Sequence, residues 1–159
     1  MAGSPGRVRI IALGNRDRGD DGAALLVAER FTADALVIPA GRPGADLMDL
    51  LPPEEPCILL DVTLSGSPPG TIHEMTLESL DPHLLPDLRI SSHGFGPGEA
   101  LALAKALGRP LPEGMFLGIE GESFELGAGL SPPVSHALPH FEERVRRALG
   151  IMKGIRQGS

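Results

Sequence analysis

The sequence predicts a single α/β domain: a three-layer α/β/α sandwich around a mainly parallel sheet of about five strands. Short apolar runs alternate with helical patterns along the chain, which is the order that a parallel sheet requires. The runs are almost continuously apolar, as in strands that helices cover on both faces. The 159 residues contain no internal repeat and no long linker. We therefore expect one domain over 1–159, with an ordered core over 7–150 and a frayed tail over 151–159.

The first half of the chain predicts three strands and two helices. Strands are expected over 8–13, 35–40 and 57–62, where runs such as VRIIAL and CILLDV are bounded by turn residues. Apolar residues recur at helical spacing over 21–31, and acidic residues open that segment, where they favour the helix dipole. A shorter helix is predicted over 45–51, ended by two prolines.

The second half predicts two further strands and two longer helices. The strands are expected over 70–75 and 115–120, and the second of them is the more apolar. A helix over 97–107 begins with proline and ends before a glycine, as helices commonly do. After a glycine-rich loop over 121–130, Ser131 is expected to cap a last amphipathic helix. That helix carries the chain to the end of the expected core.

The composition excludes several classes of protein. The formal net charge is −7, and only two of the 14 positive residues are lysine, whereas nucleic-acid binding needs clustered Lys and Arg. No apolar run approaches the roughly 20 residues that span a bilayer, and the amino-terminal residues lack the apolar core of a signal peptide. The single cysteine fits a cytoplasmic protein. The chain also lacks the GxxxxGK[ST] and GxGxxG nucleotide motifs.

Three ionisable residues fall where a parallel sheet places its ligands, beyond the carboxyl ends of the strands. Asp21 follows the first strand, Asp61 ends the third, and His93 precedes the helix at 97–107. Two carboxylates and an imidazole could hold a divalent metal and leave positions open for water or substrate. Oxygen and nitrogen ligands admit zinc and nickel alike, so the ligand types do not select the metal.

Each of the three residues also has a structural alternative. Asp21 could be a helix cap, since Asp is favoured at that position. Asp61 could accept hydrogen bonds from backbone N–H groups, although a carboxylate on a buried strand is costly unless it is paired or ligating. A lone histidine in a glycine-rich loop, such as His93, is often structural. The coincidence of all three at one edge of the sheet favours a site.

The other histidines and the cysteine are not expected to join this site. His136 and His140 have the i,i+4 spacing of a metal clamp, but they lie opposite the apolar face of their helix, so we expect them on a solvated face. Two more are interpreted as surface residues, His73 and His83. Cys57 is expected in the core, about 13 Å along the strand from Asp61, which is too far to share a metal.

Four segments carry motifs in a fixed order. GNRDRGDDG occupies 14–22, CILLDV occupies 57–62, SSHGFGPGEALALAKALG occupies 91–108, and GIEGESFELGAGLSPPV occupies 118–134. They resemble the GxGN and (D/E)(D/E)G signature, the strand ending in Asp, the [ST]H-G/D loop with its helix, and the GIEPxSFxxGxGLSPxV segment of the hydrogenase maturation endopeptidases. The resemblance covers nearly the whole chain, from about residue 8 to residue 149.

The resemblance implies an endopeptidase of the aspartic type. It would remove the C-terminal extension from the large-subunit precursor of [NiFe] hydrogenase after nickel insertion. Asp21, Asp61 and His93 correspond to the family's metal-contacting acid, acid and histidine, and are the implied catalytic residues. A metal there could polarise the scissile carbonyl while a carboxylate orients or deprotonates the attacking water. The nickel would belong to the precursor, and zinc or cadmium could replace it in vitro.

The resemblance also implies where the enzyme works and with what partner. We expect a cytoplasmic enzyme that acts on the hydrogenase precursor, has no nucleic-acid partner and does not insert into membranes. The sequence leaves the oligomeric state open and is compatible with a monomer. The loop with Gly127 and Gly129 is a candidate substrate loop.

Two positions depart from the family pattern. Ala12 stands where the family has the first glycine of GxGN, and alanine does not readily adopt a positive φ, so a slightly different turn is expected. After the second strand the family has GGTxG and this chain has AGRPG, so that Arg42 replaces a small polar residue near the expected cleft. We expect Arg42 to contact the substrate or to face water.

Two functions of other classes stay open at this level. One is a chaperone that senses nickel in the precursor without cutting it. The other is a small-molecule hydrolase or binder on a similar sheet, which would also use residues at strand ends. The small-molecule protein predicts a deep closed pocket, whereas a protease predicts an open groove beside Asp61 and His93.

Overall fold

The computed structural model describes residues 7–82 and 95–158. Its centre is a five-stranded sheet in the order β2-β1-β3-β5-β4. The neighbouring pairs are parallel except that β4 runs antiparallel to β5. The strands are β1 (Arg9–Leu13), β2 (Leu36–Gly41), β3 (Cys57–Thr63), β4 (Ile72–Thr76) and β5 (Gly114–Glu120). The predicted sheet is thus confirmed, with every predicted strand shifted by no more than two residues at either end.

In the described part of the chain, three α-helices and several 3₁₀ segments precede or follow the strands. The helices are α1 (Ala23–Ala28), α2 (Pro97–Ala106) and α3 (Pro132–Gly158). The 3₁₀ segments are Gly19–Gly22 and Glu29–Phe31 on either side of α1, Gly44–Leu50 after β2 and Leu77–Ser79 after β4. The helix predicted over 21–31 is therefore α-helical only over Ala23–Ala28, and the helix predicted over 45–51 is a 3₁₀ segment, Gly44–Leu50. Such turns are frequent at the ends of α-helices and as short connectors.

The helices cover both faces of the sheet. One core cluster joins Ile10, Ile58 and Leu60 of the sheet to apolar residues of α1 and α3. The other cluster joins Ile11 and Leu59 of the sheet to Leu47 in the 3₁₀ segment after β2 and to apolar residues of α2. Alternate residues of β1 and β3 thus face opposite layers, as a strand of period two requires. The three-layer sandwich is confirmed. Within the described residues, no helix is both long and apolar enough to cross a bilayer.

The last helix extends further than the sequence predicts. We expected it to end at Gly150 and the residues beyond to fray, but α3 continues to Gly158. Met152 explains the difference, because it is only 3% exposed and belongs to the same core cluster as α1. Burial of a large apolar side chain outweighs the cost of about 1 kcal/mol that a glycine imposes inside a helix.

The register of the sheet determines where ligands can approach. Pairing between β1 and β3 ends at Ala12 and Leu60, so β3 continues beyond its neighbour on one side while β5 still pairs with Asp61 through Gly118. β2 lies beside β1 on one side and β3 lies beside β1 on the other, so the order of the strands in the sheet reverses at β1. Open α/β sheets bind ligands at such a reversal of strand order, beyond the carboxyl ends of the strands.

Candidate functional site

Asp61 lies at this reversal with its side chain fully buried. β3 continues to Thr63, so Asp61 is inside the strand and does not end it as predicted. Its Oδ1 accepts a hydrogen bond from the backbone N–H of Val62 at 2.7 Å. In the part of the chain that the structure describes, Oδ2 is buried and has no hydrogen-bond partner. Such a group is rare in native proteins, and a catalytic role, a bound ion or a bound water is among its explanations.

The surroundings of Asp61 oppose its ionisation. Burial raises the pKa of Asp61 to about 7. The nearby Arg42 guanidinium and the Val62 N–H lower it, and the negative charge of Asp21 raises it further. Loss of hydration is the largest of these effects, as expected for a carboxyl on a strand that is buried throughout. The carboxyl can therefore bind or release a proton near neutral pH.

Asp21 is positioned from the loop after β1. Its Oδ2 accepts a hydrogen bond from the N–H of Asn15 at 2.7 Å, and its Oδ1 contacts the guanidinium of Arg42. Its partners therefore lie outside α1, and the helix-cap alternative is wrong. Gly14 permits this packing: its φ is 118°, and a Cβ there would lie 2.2 Å from the backbone oxygen of Asp21.

Arg42 lies between the two carboxylates. It follows β2, and the carbonyl of Gly41 accepts a hydrogen bond from the N–H of Gly14 at 3.0 Å, which ties the two loops together. Nη2 of Arg42 contacts Oδ1 of Asp21, and Nη1 lies 3.8 Å from Oδ1 of Asp61. The sequence-based expectation of substrate or water as its partner missed this ion pair.

His93, the third predicted site residue, lies outside the described residues, as does His83. Within residues 7–82 and 95–158, no three His, Cys, Asp or Glu side chains are grouped so that they could hold a metal ion. Asp21 and Asp61 do come together, since one guanidinium reaches both. The role of His93 therefore stays a prediction.

Ala12 does not disturb this arrangement. It lies inside β1, fully buried and paired with Pro39 of β2. The position is part of a strand, where alanine is unstrained, so no positive φ is required of it. The register of the β1–β2 pair shifts between Ala12 and Leu13, and the pairing continues with Leu13 opposite Gly41.

Asp20 is a structural residue that the sequence did not distinguish from Asp21. It is fully buried, and its carboxylate accepts four hydrogen bonds, two from the glycine-rich loop at 121–130 and two from Ser131 that follows it. The donors are the N–H groups of Glu122, Ser123 and Ser131 and the hydroxyl of Ser131, at 2.7–2.9 Å. Ser131 thus precedes α3 as predicted, but its hydroxyl is bonded to Asp20. The loop is thereby attached to the segment that carries Asp21.

Further contacts join the same two segments. The N–H of Gly127 donates to the carbonyl of Asp17 at 2.8 Å, and the N–H of Asp20 donates to the carbonyl of Ser123 at 2.8 Å. Gly19 is needed for this approach, because its φ is 53° and a Cβ would lie 2.5 Å from the Ser123 oxygen. Leu126 is left 73% exposed at the surface of the loop.

Glu120 ends β5 and forms a second polar cluster at the same edge. Its carboxylate accepts hydrogen bonds from the hydroxyls of Thr63 and Ser65 and from the N–H groups of Ser65 and Gly66. Burial raises its pKa, but these bonds outweigh it, so the pKa of Glu120 is lowered. His73 lies 3.3 Å from the same carboxylate with its side chain 20% exposed. Its assignment to the surface was therefore wrong.

The other predictions about side chains agree with the structure. His136 and His140 are exposed on α3. Cys57 is fully buried, and burial raises the pKa of its thiol to about 12, against a smaller lowering by Arg9.

An open cleft of about 690 Å³ lies at the opposite, amino-terminal edge of β3 and β5, where Pro53, Lys105 and Arg109 line it. It does not include Asp21 or Asp61.

The two carboxylates fit a cation. A buried carboxylate needs a counter-charge, and the free oxygen of Asp61 can serve as a ligand to one. Arg42 supplies part of that charge through Oδ1 of each residue. The arrangement can therefore bind a positively charged centre presented at this edge and can accept a proton from a nearby water.

Together the fold and the site define a class: an α/β protein with paired buried acids where the strand order of its sheet reverses. The chain belongs to the hydrogenase maturation protease family, whose model matches residues 24–148. It is a member of a family of peptidases.

Solved structures of named maturation proteases have the same fold. The endopeptidase HybD from Escherichia coli is 24% identical, with a TM-score of 0.74, over 90% of this chain and 91% of that one. HybD from Thermococcus kodakarensis is 25% identical, with a TM-score of 0.66, over 89% and 97%. A hydrogenase 2 maturation peptidase from Thaumarchaeota archaeon SCGC_AB-539-E09 is 26% identical, with a TM-score of 0.61, over 91% and 98%. No curated protein sequence matches the chain.

Proposed function

We propose that the chain is the endopeptidase that removes the C-terminal extension of a [NiFe] hydrogenase large-subunit precursor after nickel insertion. Family membership supports the reaction class. The single observation that supports the location is Oδ2 of Asp61, which is buried and has no hydrogen-bond partner among residues 7–82 and 95–158, at the sheet edge that also carries Asp21. A folded protein retains a costly group of this kind where function needs it.

The roles of the residues follow from their positions. Asp21, Asp61 and His93 would contact the nickel that the precursor carries, so the metal is part of the substrate. That metal would supply a positive charge against which the scissile carbonyl is polarised. Asp61 would orient the attacking water and accept its proton, and the loop at 121–130 would line the path of the extended peptide. With these roles, hydrolysis depends on metallation, because the positive charge of the nickel is present only when the precursor has been loaded with it.

The proposal includes a partner and a compartment. The partner is the hydrogenase large-subunit precursor. The compartment is the cytoplasm, which the single cysteine of the chain fits. Other divalent ions, such as zinc or cadmium, are expected to bind the same residues in vitro. The open cleft at the opposite edge of the sheet contributes no residue to this site.

The test is a processing assay on the precursor from the same organism. Nickel-loaded and nickel-free precursors are incubated separately with the protein, and intact mass is measured. We expect a loss of the C-terminal extension from the nickel-loaded precursor alone. Binding of the loaded precursor without any change in mass would instead establish the non-cleaving chaperone.

A variant series locates the site. Asp21→Ala, Asp61→Ala and His93→Ala should each abolish processing, and His136→Ala, an exposed change on α3, should not. Circular dichroism of every variant controls for folding. Full cleavage by all three site variants would refute the assignment.

A further inference from the structure

Arg42 is held beside the two carboxylates by the backbone. It directly follows Gly41 at the end of β2, and the hydrogen bond from Gly14 to Gly41 fixes that point against the loop that leads to Asp21. The side chain is 36% exposed, whereas those of Asp21 and Asp61 are 5% and 0% exposed. The guanidinium therefore approaches a buried acidic pair from the solvent side.

The guanidinium interacts with the two carboxyl groups that a metal ion at this site would bind. It contacts Oδ1 of Asp21 and lies 3.8 Å from Oδ1 of Asp61. Within the described ranges, no other Lys, Arg or His forms an ion pair with either carboxylate. A guanidinium and a divalent ion compete for this pair, because both carry positive charge and each is stabilised by the same two carboxylates.

The pair is nevertheless not closed by Arg42. Oδ2 of Asp61 stays without a partner among the described residues even with the guanidinium in place. The exposed fraction of the Arg42 side chain leaves it free to move outward into water. The structure thus combines an acid that is incompletely satisfied among the described residues with a partly exposed cation of the same chain.

We propose that Arg42 is a built-in counterion that keeps free metal ions from this site: it occupies the Asp21–Asp61 pair in the free protein and yields to metal presented by the precursor. This inference rests on the proposed function, in which the metal is part of the substrate. Free ions at low concentration must compete with a cation fixed in the chain, whereas precursor-bound metal is delivered with the binding energy of a whole protein partner. Arg42 is a positioning residue, since it acts through the two acids.

The experiment measures metal binding without any precursor. Untagged protein is titrated calorimetrically with Ni²⁺ and with Cd²⁺, in a His136→Ala/His140→Ala background that removes the exposed i,i+4 histidine pair. Arg42→Thr is compared with the parent and with Arg42→Lys. Thr is the shorter, uncharged replacement, and Lys keeps the charge but not the planar fork.

We expect Arg42→Thr to bind Cd²⁺ and Ni²⁺ about tenfold or more tightly than the parent, because one competing charge is removed. Arg42→Lys should bind with intermediate affinity. Adding Asp61→Asn to Arg42→Thr should abolish the gain, which shows that the ion is at this pair. A thermal melt of each variant confirms that it is folded.

Equal affinities of the parent and Arg42→Thr would overturn the proposal, whatever the processing assay shows. A gain that survives Asp61→Asn would overturn it as well, because the ion would then be elsewhere. The processing assay tests the proposed endopeptidase function separately. If nickel-loaded precursor keeps its mass while Arg42→Thr binds metal more tightly, the endopeptidase function is wrong and the counterion role stands.

Discussion

Glu120 and Asp61 are buried carboxylates near the ends of adjacent strands, yet their surroundings differ. Glu120 is 2% exposed and receives bonds from Thr63, Ser65 and Gly66. Asp61 is fully buried, accepts one bond from Val62, and keeps one oxygen without a partner among the described residues. Their pKa values accordingly shift in opposite directions.

The difference separates an acid with a structural role from the acid that we propose to be functional. A carboxylate whose lone pairs are filled by the protein holds its neighbours in place and has little capacity left for a ligand. A buried carboxylate with a free oxygen gives up stability for chemistry. Asp20, with four hydrogen bonds, is of the first kind, and it lies next to Asp21 in the sequence.

Asp20→Asn should give the largest loss of stability. An amide cannot accept at both positions, so backbone N–H groups of the loop at 121–131 lose their acceptor. Bonds to a charged acceptor are worth about 1.5–3 kcal/mol each and are not additive, so we expect a loss of about 3 kcal/mol in the free energy of unfolding. Urea denaturation measures it.

The matched control is Asp17→Asn, an exposed change in the same segment, which should stay within about 0.5 kcal/mol of wild type. An Asp20→Asn protein as stable as this control would show that the four bonds do not stabilise the loop.

Glu120→Gln should have a smaller effect that depends on pH. The folded pKa of Glu120 is lowered from its ordinary value of 4.5, so its stabilisation is fully present above that value and is lost as the pH falls through the folded pKa. The variant should be about 1–2 kcal/mol less stable than wild type near neutral pH. The gap should narrow below about pH 4.

Denaturation curves across the acid range test this expectation, with the exposed Glu125→Gln as control. A gap that is constant with pH would show that the ionised carboxylate is not what stabilises this cluster.

Cys57 should give the smallest effect, since the folded protein is expected not to react at all. The thiol is fully buried and its pKa is raised to about 12, so almost no thiolate is present at neutral pH. Iodoacetamide should label it only after unfolding in denaturant, as intact mass would show. Rapid labelling under native conditions would contradict the burial of β3.

Much of the fold could be predicted because it depends on local pattern. Continuous apolar runs identified β1, β3 and β5, and their alternation with helices predicted the layers. The split between α and 3₁₀ turns, and the continuation of α3 to Gly158, depend on packing such as that of Met152, which periodicity does not report.

The candidate site was predicted less completely. Strand ends pointed to Asp21 and Asp61, and the structure brings them to one guanidinium. The role of Asp20 depends on a loop about a hundred residues away, and the ion pairs of Arg42 depend on how the ends of β1 and β2 meet. Neither leaves a signal in local sequence beyond the adjacent acidic residues and a departure from the family motif.

Asp61→Asn provides the most direct test of whether Asp61 is retained for chemistry and not for folding. The free energy of unfolding and the rate of processing of nickel-loaded precursor are measured on one preparation. Asn keeps an acceptor for the N–H of Val62 but cannot take up a proton from water, so processing should fall about a thousandfold or more. Stability should remain within about 1 kcal/mol of wild type. A variant that still processes the precursor but unfolds as easily as Asp20→Asn would contradict the account.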